Sequence, residues 1–328
     1  MSHMVLMVLL CLTILGSTGC GDKRATKPAS SRLTLAVIPK GTTHEFWKSV
    51  YAGAAKAARE LDVDIIWKGA LKEDNREAQI SVVEDFISRR VSGIVLAPLD
   101  DTALCAPVAS AKHNGIPTVI FDSALKSDQI VSFVATDNYV GGKLAGKCLA
   151  DLLAGKGKVV MLRYQEGSAS TMQREQGFLD AIKEYPGIEI VSANQYGGAT
   201  TETAYRASEN MLAPLKAPQG GLSVQGIFCP NESTTFGMLR ALQDASLAGK
   251  VRYVGFDSSA KLVEALRTGQ INGLVLQNPI RMGYLGVCTM VKHLRGQAVD
   301  KRIDTGAKLA TRENMDQPEI KELLEPKL

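Results

Sequence analysis

From residue 33 onward the sequence predicts an α/β fold made of two doubly wound parallel-sheet lobes, on three observations. Short, nearly all-apolar runs alternate with longer amphipathic stretches; the alternation restarts after Asp137; and no Ser/Gly/Pro linker separates the two halves. Runs that are apolar at every position fit strands buried on both faces, and helices between parallel strands supply that cover. With 328 residues, 45% of them hydrophobic, the chain can bury two such cores.

The first half reads as βαβαβαβ. "LTLAVI" (33–38) is a strand, followed by a helix from about Phe46 to Leu61, on which Phe46, Val50, Ala54, Ala57 and Ala58 recur at helical spacing. "VDIIWK" (63–68) is the next strand. "REAQISVVEDFISRRV" is a helix with an apolar face at Ile80, Val83 and Ile87, "GIVLAPL" a strand, "ALCAPVASAKHNG" a helix stopped by Gly115, and "PTVIFDS" a strand. In the second half, "NYVGGKLAGKCLADLLAG", "STMQREQGFLDAIKEY", "TAYRASENMLA", "STTFGMLRALQDA" and "AKLVEALRTG" are helices. They alternate with the strands "KVVMLRY", "IEIVSANQ", "VQGIFCPN", "VRYVGFD" and "INGLVLQ".

Ahead of these units, "MSHMVLMVLLCLTILGSTGC" holds an apolar run from Val5 to Leu15, too short for a bilayer span but suited to the core of an export signal. The small residues and cysteine of "STGC", with the polar "GDKRATKPASSR" after them, resemble the lipobox and tether of bacterial lipoproteins. That resemblance implies a signal over 1–20, a tether over 21–32 and lipidation at Cys20, hence a chain lipid-anchored to the membrane in the periplasm or at the cell surface. No Lys or Arg precedes the apolar run, and Ser17 stands where lipoboxes usually carry Leu, which leaves an uncleaved anchor or ordinary secretory cleavage as the alternatives. Cys105, Cys148, Cys229 and Cys288 remain; none forms a CxxC pair or a Cys/His ligand spacing, so no metal is expected, and a disulfide among them is left open. A net charge of +4, with both signs interspersed, gives no footprint for nucleic acid.

Ligands of open α/β sheets bind at the carboxyl ends of the strands. Those ends carry Lys40, Phe46 and Trp47, then Asp122 and Ser123, then Asn231, Asp257 and Gln277. Carboxylates and amides supply the acceptors and donors that a polyhydroxylated ligand needs, since each hydroxyl both donates and accepts. Phe46 and Trp47 add apolar faces for the C–H side of a sugar ring. Taken singly, the aromatics fit a hydrophobic staple and the Asp and Asn residues fit helix or turn caps. Their shared position at five strand ends favours the ligand reading.

Over Leu33 to about Thr311 the chain resembles the type I periplasmic sugar-binding proteins, the ribose/galactose/allose-binding group that serves ABC importers. The matching stretches include "FWKSVYAGAAKAARELDVDI", "AKHNGIPTVIFDS", "VATDNYVGGKLAG", "IFCPNESTTFGMLRALQDA", "VGFDSS" and "LVLQNPIRMGYLGV". The resemblance implies sugar contacts at Phe46, Trp47, Asp122, Asn231, Asp257 and Gln277. Where ribose binders have Arg after the first Asp, this chain has Ser123; the contacting Arg of "SxxR" falls on Met172, with Arg174 two residues on. "AVIPK" and "DS" resemble instead the rhamnose- and autoinducer-2-binding relatives, whose lysine contacts ligand, which implies Lys40 and Ser123 and makes a rhamnose-like or autoinducer-2-like ligand the alternative.

The resemblance further implies a three-crossing hinge near Asp137, Gln277 and Asp304, with lobes of 33–137 plus 278–304 and 138–277 plus 305–328. It implies a non-enzymatic monomer without cofactor, whose partners are a sugar, ABC permease subunits and a chemoreceptor. Two rival classes fit less well. A sugar-responsive repressor of this fold carries a helix-turn-helix before the first strand, where this sequence has the apolar run and tether; a glycosidase using Asp122 and Asp257 as acid and base lacks any further catalytic constellation.

Overall fold

The computed structural model describes residues 32–218 and 220–326. The signal expected over 1–20, Cys20 and all but the last residue of the tether lie outside these residues. The first half contains β1 (Thr34–Ile38), α1 (Glu45–Leu61), β2 (Asp64–Trp67), α2 (Arg76–Ser88), β3 (Gly93–Leu96), α3 (Cys105–His113), β4 (Thr118–Phe121) and β5 (Ser132–Ala135). The second half contains α4 (Asn138–Leu152), β6 (Lys156–Arg163), α5 (Ala169–Lys183), β7 (Gly187–Tyr196), α6 (Thr201–Leu212), β8 (Gly226–Phe228), α7 (Glu232–Asp244), β9 (Arg252–Phe256), α8 (Ala260–Arg267) and β10 (Gly273–Leu276). α9 (Pro279–Leu294), β11 (Arg302–Asp304), β12 (Lys308–Ala310) and α10 (Pro318–Leu324) complete the chain.

The strands form two six-stranded sheets, ordered β11-β5-β4-β3-β1-β2 and β12-β10-β9-β8-β6-β7. Every pairing in the first is parallel, and β12 alone runs antiparallel in the second. Both sheets are doubly wound α/β layers. Strand alternation divides β1 between two cores: Leu35 and Val37 pack with Val50 and Ala54 of α1 and Met282 and Met290 of α9, while Ala36 and Ile38 pack with Val83, Phe86 and Val108 of α2 and α3. The buried face of α2 centres on Val82, Val83 and Phe86 rather than on Ile80, Val83 and Ile87; Ile80 and Ile87 flank it, half-buried. In the second sheet, Val159, Met161, Val254 and Val275 meet α4 and α5, and Val160, Leu162, Ile227 and Leu274 meet Met211, Met238 and Leu262 of α6, α7 and α8.

The chain passes between the sheets three times, after β5, after β10 and after β11. After the second passage α9 returns to the first sheet and lies against α1. The two helices approach backbone to backbone: a Cβ on Gly53 would strike the Ile280 carbonyl, and one on Gly283 the Val50 carbonyl. In the second half, Gly142 of α4 and Gly177 of α5 stand in the same reciprocal relation to the carbonyls of Arg174 and Tyr139. Among the described residues no helix is long and apolar enough to cross a membrane, and the four cysteines are free thiols.

Candidate ligand-binding cleft

The carboxyl ends of the two sheets face each other across one small cavity. The first sheet's side contributes Lys40, His44, Phe46, Trp47, Glu73 and Asp122; the second contributes Tyr164, Ser170, Thr171, Arg174, Asn231, Glu232, Asp257 and Gln277. Eight of the nine residues singled out in the sequence therefore meet there. Ser123 sits behind the wall, where its Oγ accepts a hydrogen bond from the Ser170 amide at 3.1 Å.

Asp122 and Asp257 follow β4 and β9 directly, and both lie in the left-handed region, with φ of 61° and 68°. Such backbone costs energy for a non-glycine residue and Asp tolerates it better than most. The turn swings each carboxylate off its strand end into the cleft. Neither caps the helix that follows it: Ser259 caps α8, and Asp257 instead accepts the Glu232 amide at 3.1 Å. Asn231 does cap α7, accepting the Thr234 amide at 3.3 Å while it lines the cavity. Gln277 donates to Asp257 Oδ1 at 2.7 Å, and its own Oε1 is buried with no hydrogen-bond partner among the described residues.

Phe46 and Trp47 form the first turn of α1, buried, with ring centroids 4.9 Å apart and planes at 86°. Perpendicular rings make a corner rather than a flat table, so a sugar face lying on one ring meets the edge of the other. The indole Nε1 donates to Glu73 Oε1 at 2.6 Å, the same oxygen that His44 Nδ1 reaches at 2.8 Å.

Three of the four carboxylates in the cleft are matched to a cation, and the fourth, Glu232, is held by main-chain amides. Lys40 lies 3.1 Å from Asp122 and donates to Ser168 and Ser170 across the cleft. Arg174 lies 3.8 Å from Asp257, stacks 4.0 Å above the Phe256 ring, and donates to Asn138 Oδ1 and the Pro230 carbonyl. Burial alone would raise the Glu73 carboxyl and lower His44, but their mutual attraction wins, holding Glu73 down at about 2 and His44 up at about 9. Burial raises Asp257 above the ordinary carboxylate range in spite of Arg174 and Gln277. It also pushes Glu232 up to about 7; that side chain accepts the Glu45 and Phe46 amides at 3.2 and 3.1 Å, at the positive end of the α1 dipole. Among the described residues, no cluster of three or more His, Cys, Asp or Glu side chains could hold a metal ion.

A family model described as a periplasmic binding protein domain matches residues 35–298. The chain belongs to the periplasmic sugar-binding proteins of the ribose and allose group. The ribose import binding protein RbsB of Haemophilus influenzae is 30% identical to this sugar-binding protein over 298 residues, covering 91% of this chain and 98% of its own. The D-allose-binding periplasmic protein of Escherichia coli is 30% identical over 264 residues, 78% of this chain and 83% of its own. Among solved structures, a carbohydrate transporter solute binding protein from Agrobacterium radiobacter in complex with D-arabinose superimposes with a TM-score of 0.85 at 34% identity, covering 90% of this chain and all of that one. An ABC transporter solute binding protein from Agrobacterium vitis with bound D-fucose gives 0.84 at 35% identity, over 89% and 99% of the two chains.

Six lining residues were not among the sequence candidates: His44, Glu73, Tyr164, Ser170, Thr171 and Glu232. Tyr164 ends "KVVMLRY", where the strand-end rule would have found it. Glu232 is the neighbour of Asn231, and His44 stands two residues before the aromatic pair. Glu73 has no such signal, because "KEDN" reads as a solvated turn.

Proposed function

We infer that this periplasmic protein captures a neutral monosaccharide or related polyol between its lobes and delivers it to an ABC importer. The observation that carries this reading is the cleft in which every cation already has a carboxylate partner of its own while hydrogen-bonding capacity is left over. A sugar acid or sugar phosphate would bring a negative charge with no free cation among the described residues there to meet it, and burying an unpaired charge is costly. Hydroxyl groups need only acceptors and donors, which the remaining lone pairs of Asp122 and Asp257, Gln277 Oε1 and the Arg174 guanidinium offer. Phe46 and Trp47 take the ring's apolar side.

Because the contacts come from both lobes, sugar favours the closed over the open arrangement, and closure is a shift of population by differential contacts. We propose the three crossings as the hinge, with lobes of 33–137 plus 278–304 and 138–277 plus 305–328. The closed pair of lobes is the form that permease subunits dock, and a chemoreceptor reads the same closed surface. Both halves of the site come from one chain, which supports a monomer. The "STGC" motif and polar tether support export and lipid anchoring through Cys20. A thermal-shift screen over D-ribose, D-arabinose, D-allose, D-fucose, polyols, uronic acids and amino sugars tests the reading. A neutral sugar at a hundred times its dissociation constant stabilises the fold by about 2.7 kcal/mol; stabilisation only by charged sugars, or by none, refutes it.

A further inference from the structure

Glu73 is a buried carboxylate of the cleft to which the sugar-binding reading gives no part. It lies between β2 and α2, in the first half of the chain, and three donors converge on it. Trp47 Nε1 at 2.6 Å and His44 Nδ1 at 2.8 Å share Oε1, and both belong to its own lobe. The third donor crosses the cleft: the Tyr164 phenol, just beyond β6, reaches Oε2 at 2.6 Å. Beside it, Gln165 Nε2 donates to the Glu73 main-chain carbonyl at 2.8 Å.

The two oxygens have different dependencies. Oε1 is held within one lobe, and the bond from Trp47 uses the only polar atom of the indole, which sets the angle at which the ring enters the cleft. Among the described residues, Oε2 has no side-chain hydrogen-bond partner other than Tyr164. With the lobes apart, water can solvate it. With the lobes together it is buried, and the phenol is then the donor that replaces that water. A buried charged acceptor without a donor bears the full cost of its lost hydration, whereas a charge-assisted bond is among the stronger ones a protein makes.

We propose that Glu73 and Tyr164 form a closure contact: Glu73 is a positioning residue that fixes Trp47, and Tyr164 is the group by which the second lobe completes the Glu73 shell when the cleft shuts. The contact sets the affinity for sugar without choosing among sugars. It rests on the reading of the cleft as a sugar site.

The test is a double-mutant cycle with Tyr164→Phe, which removes one oxygen and keeps the ring, and Glu73→Gln, which keeps the shape and removes the charge. Affinities are measured by calorimetry for every member of the D-ribose, D-arabinose, D-allose and D-fucose panel that binds the wild type. Tyr164→Phe is expected to weaken each of them by a common factor of about ten to a hundred, through faster dissociation with little change in association rate. The double variant is expected to be no weaker than the worse single one. Losses that add, a loss under twofold for Tyr164→Phe, or one that varies with the sugar would overturn the proposal, the last marking Tyr164 as a sugar contact. If the wild type binds none of the panel, the sugar reading fails instead, and small-angle scattering without ligand decides the contact: a less compact Tyr164→Phe protein supports it, and identical curves refute it.

Discussion

Replacing Asp257 by Asn should separate what this carboxylate does for the fold from what it does for the ligand. The backbone there has φ of 68°, a conformation that asparagine adopts readily. In Asp257→Asn the side-chain oxygen can stay on the Glu232 amide, which turns the new NH2 toward Gln277. Gln277 can answer by rotating its own amide, presenting the Oε1 that now has no partner. The protein network therefore survives the exchange. Burial raises the Asp257 pKa above its ordinary value, so folding costs the ionised form more than the neutral one, and removing the charge takes no stability away near pH 7. Binding is another matter. A carboxylate offers about four lone-pair sites, of which Gln277 and Glu232 take two, leaving two for sugar hydroxyls. At about 1.5 to 3 kcal/mol for each charge-assisted bond, their loss weakens binding by roughly a hundred- to ten-thousandfold. The expected result is a melting temperature equal to or above wild type, with the sugar-induced shift abolished. Wild-type affinity by calorimetry in a folded Asp257→Asn protein would refute the argument and leave Asp257 as a brace for Gln277 and α7.

Trp47 lines the cavity and Trp67 ends an edge strand, so sugar should change the fluorescence of the first more than the second; a ligand-induced signal that persists in Trp47→Phe rules out the aromatic corner as the sugar platform. The His44–Glu73 pair is worth most where both groups are ionised in the fold: the His44 part is complete below its ordinary pKa and fades as pH rises through about 9, and the Glu73 part fades as pH falls toward about 2. The difference in melting temperature between wild type and His44→Gln should accordingly be larger at pH 6 than at pH 10, and a constant difference contradicts the pairing. Gly283→Ala drives a Cβ into the Val50 carbonyl and should lower stability by about 1 to 3 kcal/mol or more in urea titrations, since α1 and α9 must separate. Palmitate labelling should depend on Cys20, and incorporation unchanged in Cys20→Ala contradicts lipidation there.

Most of the sheet content was legible because the strands are continuous apolar runs separated by helices of ordinary length. β5 was not, for it follows β4 through a helix-free loop, contrary to the alternation, and its four residues begin with a serine. β11 and β12 are three residues each, and "RID" has no pattern of its own; the neighbouring strand makes it one. The cleft was readable wherever a residue ends a strand, as Asp122, Asp257 and Gln277 do. Arg174 lies on a helix and came only from the family likeness. Glu73 was illegible for a physical reason: in a segment whose neighbours Lys72, Asp74 and Asn75 are all exposed, it is buried by side chains that approach from elsewhere, including Tyr164 from the far side of the cleft.

The return of α9 and β11 to the first sheet also sets an order of events in time. A chain emerging N-terminus first from a ribosome or an export channel can lay down β1 to β5 early, yet α1 has no α9 to pack on and β5 has no outer neighbour until residue 304 has arrived. The second sheet gains its edge strand β12 by residue 310, only a few residues later. Neither half can finish first by any wide margin. Such long-range closures are slow to form, and the half-built sheets stay exposed in the meantime, with much of their apolar surface uncovered. A stop codon or a protease cut anywhere between residues 277 and 304 thus costs the first sheet, five of whose six strands lie upstream of the lesion, as surely as it costs the second.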